Sequence, residues 1–238
     1  MVIPPIFAGA RTLVLAALLI AGAAAEAQST GTSQGPATDS SRSVVLKPKP
    51  GPADDVGGSW NWFLAAGQMT DASLVDVFIF NYGWEPDTYL VSGEVGYTLK
   101  DDNPVARFLA PVVSNVDVVL NYTYQDEPGQ TVQEINPYIM VRWSRFPWSK
   151  VIRTTFGLGA GLSYAWPIPQ IEKQSTDPNP DYENLMHFMA IEATFSLPSH
   201  KDWQLVYRLH HRSGVFGLFQ GDNSGNTAVE LGIRHYFD

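Results

Sequence analysis

From Ser59 to the C-terminus the chain is divided into segments of about ten residues in which apolar and polar side chains alternate, separated by clusters of Pro, Gly, Asp and Asn. Successive side chains of a strand point to opposite faces, so this period of two gives each segment one greasy and one polar face. Tyr89, Val91, Val95, Tyr97 and Leu99 oppose Ser92, Glu94 and Thr98, and Val116, Val118, Leu120, Tyr122 and Tyr124 oppose Asn115, Asp117, Asn121 and Thr123. Ile135, Ile139, Val141 and Trp143 oppose Glu134, Asn136, Tyr138 and Arg142. Ile152 to Tyr164 and Leu185 to Leu197 repeat the pattern. The alternation predicts strands over 59–70, 88–99, 114–124, 133–143, 151–165, 184–197, 203–213 and 226–237, eight in all and therefore an even number. Leu74 to Phe80 reads as a further short strand, and Lys100 to Val113 as a long inner connection.

A soluble sandwich would turn the greasy faces inward, so their direction has to be argued separately. Arg11 followed by the apolar run Thr12 to Gly22 and then Ala25-Glu26-Ala27 has the form of a secretory signal peptide over 1–27. Residues 28–58 are rich in Ser, Thr, Gly, Pro and Asp and offer little to bury, so they read as a flexible periplasmic lead to a barrel over 59–238. Beyond the signal no segment reaches about 18 consecutive apolar residues, so any crossing of a membrane must be made by strands. Trp60, Trp62, Tyr89, Tyr97, Tyr122, Tyr124, Trp143, Trp148, Tyr164 and Trp166 gather at segment ends, as interfacial girdles do. Val229, Leu231, Ile233, His235 and Phe237 alternate up to the chain end, which resembles the C-terminal signal of bacterial outer-membrane barrels except that Asp238 follows the Phe. The expected fold is an all-β, eight-stranded antiparallel transmembrane barrel in the bacterial outer membrane.

Composition agrees: charged residues are 16 % and aromatics 12 %, yet the mean hydropathy is only −0.09, because lipid-facing and lumen-facing halves average out. A net charge of −9, from 15 Lys+Arg against 24 Asp+Glu, argues against nucleic acid as a partner. The absence of cysteine excludes disulfides and thiol chemistry. Eight strands enclose an interior that side chains fill, so Glu94, Asp117, Glu134, Arg142, Arg153, Glu192, Arg208, Arg212, Glu230 and Arg234 read as a paired polar core, which argues against a porin.

Most motifs dissolve in this context. Gly157-Leu158-Gly159-Ala160-Gly161 is period-two glycine on an inner face, with no helix after it to cradle phosphate. Gly221 to Asn226 lacks the glutamate of a calcium hand, and His187, His200 and His235 lack partners at metal spacing. No metal or cofactor is expected. His211 and Ser213 remain, two apart on the lipid-side face at the outer end of the seventh strand. From spacing alone they read as a wetted pair at the membrane interface, since a His and a Ser two apart occur often by chance.

The run His211-Arg212-Ser213, before the last outer loop and final strand, resembles the His-x-Ser motif of the PagL-like lipid A 3-O-deacylase family, also described as acyloxyacyl hydrolases. The resemblance implies an esterase acting on lipid A of lipopolysaccharide in the outer leaflet, with Ser213 as nucleophile and His211 as general base. It also implies an acid to orient the imidazole, about twelve residues beyond the serine. Here Gly225, Asn226 and Thr227 occupy that place and Glu230 comes a few positions later on the lumen face, so the third member is Glu230 if the final strand is bulged or shifted in register, and otherwise Asn226 as a neutral acceptor. Gly214 stands where the family has an oxyanion-donating Asn. A catalytically silent barrel with a structural or surface-interaction role is the alternative, and either form is compatible with a monomer or a homodimer.

Overall fold

The computed structural model describes residues 57–174, 183–214 and 225–238. The predicted signal peptide and all but the last two residues of the lead lie outside these, as does most of the loop after Gly214. The described residues form strands β1 (Trp60–Thr70), β2 (Trp84–Thr98), β3 (Asn115–Glu127), β4 (Gln130–Trp143), β5 (Arg153–Trp166), β6 (Leu185–Leu197), β7 (His200–Ser213) and β8 (Gly225–Phe237). Each pairs antiparallel with the next, and β1 closes on β8 from Trp60 opposite Phe237 to Thr70 opposite Thr227. Closure leaves no edge strand, which hydrocarbon requires of any sheet that crosses it. Among the described residues no helix is long and apolar enough to cross a membrane.

The barrel is inverted relative to a soluble protein. Its exterior carries a belt that includes Leu64, Val91, Val95, Leu120, Ile139, Leu158, Leu205, Leu231 and Ile233, all exposed. Its largest fully buried side chains are headed by Arg142, Arg208, Arg212 and Arg234. A wall of this kind suits lipid and not water, so the chain is a transmembrane β-barrel of the outer-membrane type.

Taking an arginine out of water costs several kcal/mol per charge, so the lumen has to compensate. Glu192 on β6 is shared by three guanidiniums: Arg142 Nη1 donates to Oε2 at 2.6 Å, Arg234 Nη1 to Oε2 at 2.9 Å, and Arg208 Nε to Oε1 at 2.8 Å. Glu94 accepts from Arg208 at 2.6 Å and Arg234 at 2.8 Å, and Asp117 accepts from Arg142 Nε at 2.7 Å. Phe63 lies beneath two of these cations, with the Arg208 guanidinium 4.0 Å and that of Arg234 5.1 Å from its ring centre. The alternating glycines of β5 make room for the large side chains of β4. A Cβ at Gly161 would sit 2.2 Å from the Pro137 carbonyl oxygen, and one at Gly157 would meet Met140 Sδ at 2.8 Å. Of the charged residues predicted to face the lumen, Arg153 alone is only half-buried, at the end of its strand.

One connection differs from expectation. Leu74–Phe78 is a helix, α1, and not an additional strand; the Ser73 side chain caps it by accepting from Asp76 N. The inner connection after β2 contains a second short helix, α2 (Pro104–Leu109), capped by Asn103.

Because three cations depend on one carboxylate, Glu192→Gln is expected to destabilise the barrel by about 3–5 kcal/mol. Urea unfolding of the protein in lipid vesicles reads this directly. A loss below about 1 kcal/mol would mean that the lumen charges are screened by water rather than held by Glu192.

Candidate functional site

Along β7, Gln204, Val206, Arg208, His210 and Arg212 are buried in the lumen, while Leu205, Tyr207, Leu209, His211 and Ser213 take the alternate, outer positions. At the inner end of this strand Trp203 stacks on His235 at 4.3 Å and meets Trp62 edge-on at 5.7 Å, marking the inner rim of the membrane. A tilted strand crosses hydrocarbon in about 9–11 residues, so counting from Trp203 brings the outer rim to His211 and Ser213. Both are half-buried.

Strand register supplies the rest of the site. His211 lies opposite Met189 on β6 and Thr227 on β8, and Ser213 lies opposite His187 and Gly225. His211 Nδ1 is 2.9 Å from Thr227 Oγ1, which leaves Nε2 as the nitrogen that can turn toward Ser213. Among the described residues no hydrogen bond joins His211 to Ser213. Positions two apart on a strand are separated by about 6.5–7 Å along the chain, whereas directly opposed residues bring their Cβ atoms to about 4.5–5.5 Å. His187 is therefore the imidazole that the pairing sets nearest Ser213, and its Nδ1 is buried without a hydrogen-bond partner among the described residues.

Thr227 and His187 were not singled out as site residues from the sequence. Their only signal there is the alternation continued across the two strand pairings, and it needs the register to be known.

Asn226 and Glu230 are placed on the other face of the wall. Asn226 Nδ2 donates to Glu172 Oε1 at 2.8 Å, on the lumen side of the wall. Glu230 accepts from Ser92 Oγ and lies 3.4 Å from His210 Nδ1, deep in the lumen. His210 Nε2 is in turn 3.1 Å from Glu134. Neither candidate side chain for the third member is brought to His211; the group that holds its ring is the Thr227 hydroxyl. Arg208 and Arg212 likewise face the lumen, Arg212 Nε donating to Glu172 at 3.0 Å.

Glu172 belongs to a 3-10 turn (Ile171–Gln174) of the loop after β5, which dips onto the outer mouth of the lumen. Ile171 packs against Met69, Leu90 and Ala228, and Gln170 N donates to Glu127 at 2.9 Å. Among the described residues no group of three His, Cys, Asp or Glu is placed to hold a metal ion.

No protein-family model matches this chain, and no curated protein does. Among solved structures it is similar to the outer membrane enzyme PagL, with 15% identity over 74% of this chain and 99% of that one at a TM-score of 0.43. It is also similar to Neisserial surface protein A (11% identity, 75% and 96% covered, TM-score 0.42). A third likeness is to the N-terminal barrel domain of Pseudomonas aeruginosa OprF (16% identity, 76% and 98% covered, TM-score 0.38). These likenesses carry nothing about chemistry, and the site stands on its own geometry.

Burial pushes the Glu172 carboxyl up to about 8 against the pull of Arg212, with Glu134 and Glu127 adding to the rise and Lys173 opposing it. The docked loop therefore holds this proton more tightly than an undocked loop, whose carboxyl titrates near the ordinary 4.5. Docking is strongest below the ordinary range and weakens as pH rises towards about 8. Hydrogen-exchange protection of the amides of Ile168 and residues 170–173 should fall across that window and become flat in Glu172→Gln; a flat wild-type profile would show that docking is indifferent to this proton.

Proposed function

We propose that this barrel is an outer-membrane carboxylic-ester hydrolase that removes an ester-linked acyl chain from lipid A, with Ser213 as nucleophile and His211 as general base. The observation that supports the reading most is the position of a serine flanked by two imidazoles on the lipid-facing wall, at the outer rim. Lipid A occupies the outer leaflet, so an ester near its headgroup meets this wall without leaving the membrane. Polar side chains in that setting are costly, and a function accounts for retaining them.

In this mechanism His211 Nε2 takes the Ser213 proton as Oγ attacks the ester carbonyl carbon. The resulting oxyanion accepts from the main-chain N–H of Gly214. Collapse breaks the carbon–oxygen bond to the sugar-side hydroxyl, which leaves with the proton returned by the imidazolium. Water, deprotonated by the same imidazole, then releases the fatty acid and restores Ser213. The Thr227 hydroxyl fixes the ring through Nδ1 in the place that an acid holds in other serine esterases.

A second reading, a catalytically silent barrel with a structural or surface-interaction role, is favoured by the absence of a carboxylate partner for His211 and of a His211 to Ser213 hydrogen bond among the described residues. Mass spectrometry of lipid A from cells carrying the wild type, Ser213→Ala or His211→Gln separates the two. The esterase reading expects loss of one acyl chain with the wild type and a drop of at least about 10²-fold in either variant. An unchanged lipid A profile with correctly inserted wild-type protein would establish the silent barrel.

A further inference from the structure

On a lipid-facing wall the outer positions should be open, yet three near the outer end of the β7, β8 and β1 sector are closed: Leu209 is 4% exposed, Thr227 1% and Thr70 1%. The loop 71–83 covers this sector. It leaves β1 directly after Thr70, α1 packs against β8, and Tyr82 lies beside Tyr207 on the outer face of β7. Asp71 accepts from Gly83 N at 2.7 Å and pins the two ends of the loop together, and Gln68 Nε2 donates to the Glu85 carbonyl at 3.2 Å. The loop therefore folds down the outside of the barrel. From Thr227, opposite His211, to Leu231, opposite Tyr207, the strand runs about 13 Å at roughly 3.3 Å per residue. That depth falls within an apolar belt about 25 Å tall.

The loop's own outer surface is apolar. Val77 is the buried residue of α1, whereas Val75 is 67% exposed, Phe78 62%, Ile79 62% and Phe80 78%. Phe80 ends the helix with φ of 60°, Phe80 N donating to the Val77 carbonyl and Asn81 N to that of Asp76. This cap takes glycine most readily, and a bulky residue held there is strained. The two acidic groups of the loop are turned to its own polar atoms, Asp71 to Gly83 N and Asp76 to Ser73 Oγ.

We infer that the loop 71–83 is a membrane-inserted element, its ridge of Val75, Phe78, Ile79 and Phe80 lying among the fatty-acyl chains of the outer leaflet. The occupant follows from continuity: the ridge extends the lipid-facing belt of Leu231, Ile233 and Leu64 outward from the wall at a depth where lipid is the surrounding medium. The loop widens the barrel's contact with lipid on the side that carries His211, and it does so whether or not the wall catalyses anything.

The chain has no cysteine, so single probes can be placed without background. Phe78→Cys, Phe80→Cys and, as a water-exposed control in the β3–β4 turn, Pro128→Cys would each carry a bimane fluorophore. The labelled full-length barrels are reconstituted in phosphatidylcholine vesicles with brominated acyl chains, and insertion is verified by heat-modifiable gel mobility. Quenching by bromolipid is expected to be several-fold stronger at 78 and 80 than at 128, with aqueous iodide giving the reverse order. Iodide quenching at 78 and 80 equal to that at 128 would overturn the inference. Bromolipid quenching that appears only when protein is diluted in lipid would also overturn it, by assigning the ridge to a second copy of the chain. Phe80→Gly, which relieves the strained cap, should leave the fold intact; unchanged bromolipid quenching of a probe at 78 in that background is expected, and its loss to the aqueous value would overturn a lipid contact made by the whole ridge.

Discussion

One carboxylate, Glu192, holds the three guanidiniums of Arg142, Arg208 and Arg234 together, and the outward geometry of the barrel depends on it. A strand alternates strictly, so a slip of one residue in β7 would send Arg208, His210 and Arg212 into lipid and draw Leu209, His211 and Ser213 into the lumen. The cost of either error runs to several kcal/mol per charge. The ion-paired lumen is therefore what fixes which residues face the membrane. His211 and Ser213 lie on the outer wall because Arg212 and His210 beside them in sequence have ionic partners inside, and His187 shares that face through its pairing with Ser213.

The same alternation made the strands and their faces legible, since a period of two is local and repeats along the whole domain. It weakened where a special backbone interrupts it. β2 begins at Trp84, before Pro86 and before Asp87 with φ of 54°, and those two residues hide its first turn of alternation. Leu74 to Phe78 is too short for periodicity to separate helix from strand, and its end is marked by Phe80 where a glycine would have been the signal. The site was legible only along one strand. His211 and Ser213 share a face by counting, but Thr227 and His187 join them through pairings set by register, and register is a property of the closed sheet. Distance along the chain brings Asn226 and Glu230 near the third position, but alternation sets Glu230 in the lumen, and the closed sheet has no bulge in β8 that would turn it outward.

The outer loop and the wall are mechanically continuous. Thr70, the last residue of β1 before the loop, donates its hydroxyl to the Thr227 carbonyl at 2.8 Å, and the Thr227 hydroxyl lies 2.9 Å from His211 Nδ1. A displacement of the loop in the leaflet thus acts on the group that holds the imidazole. On the lumen side, Asn226 is tied to Glu172 of the loop after β5, so β8 is fixed from both faces at the level of the site.

A threonine rather than a carboxylate holds His211, and a hydroxyl suits the medium. An acid on the lipid-facing side would need a counter-charge or would be protonated, because an unpaired carboxylate in that environment costs far more than a hydroxyl. A hydroxyl fixes the tautomer and orientation of the ring, yet it stabilises the imidazolium less than an anion does. Under the esterase reading this gives a slower catalyst than one with a charged third member. The substrate, however, is concentrated in the plane of the membrane and presented beside the wall continuously, so turnover is not limited by capture. A neutral orienter then gives up rate, which such a site can lose, and avoids a buried charge, which a lipid-facing wall tolerates poorly.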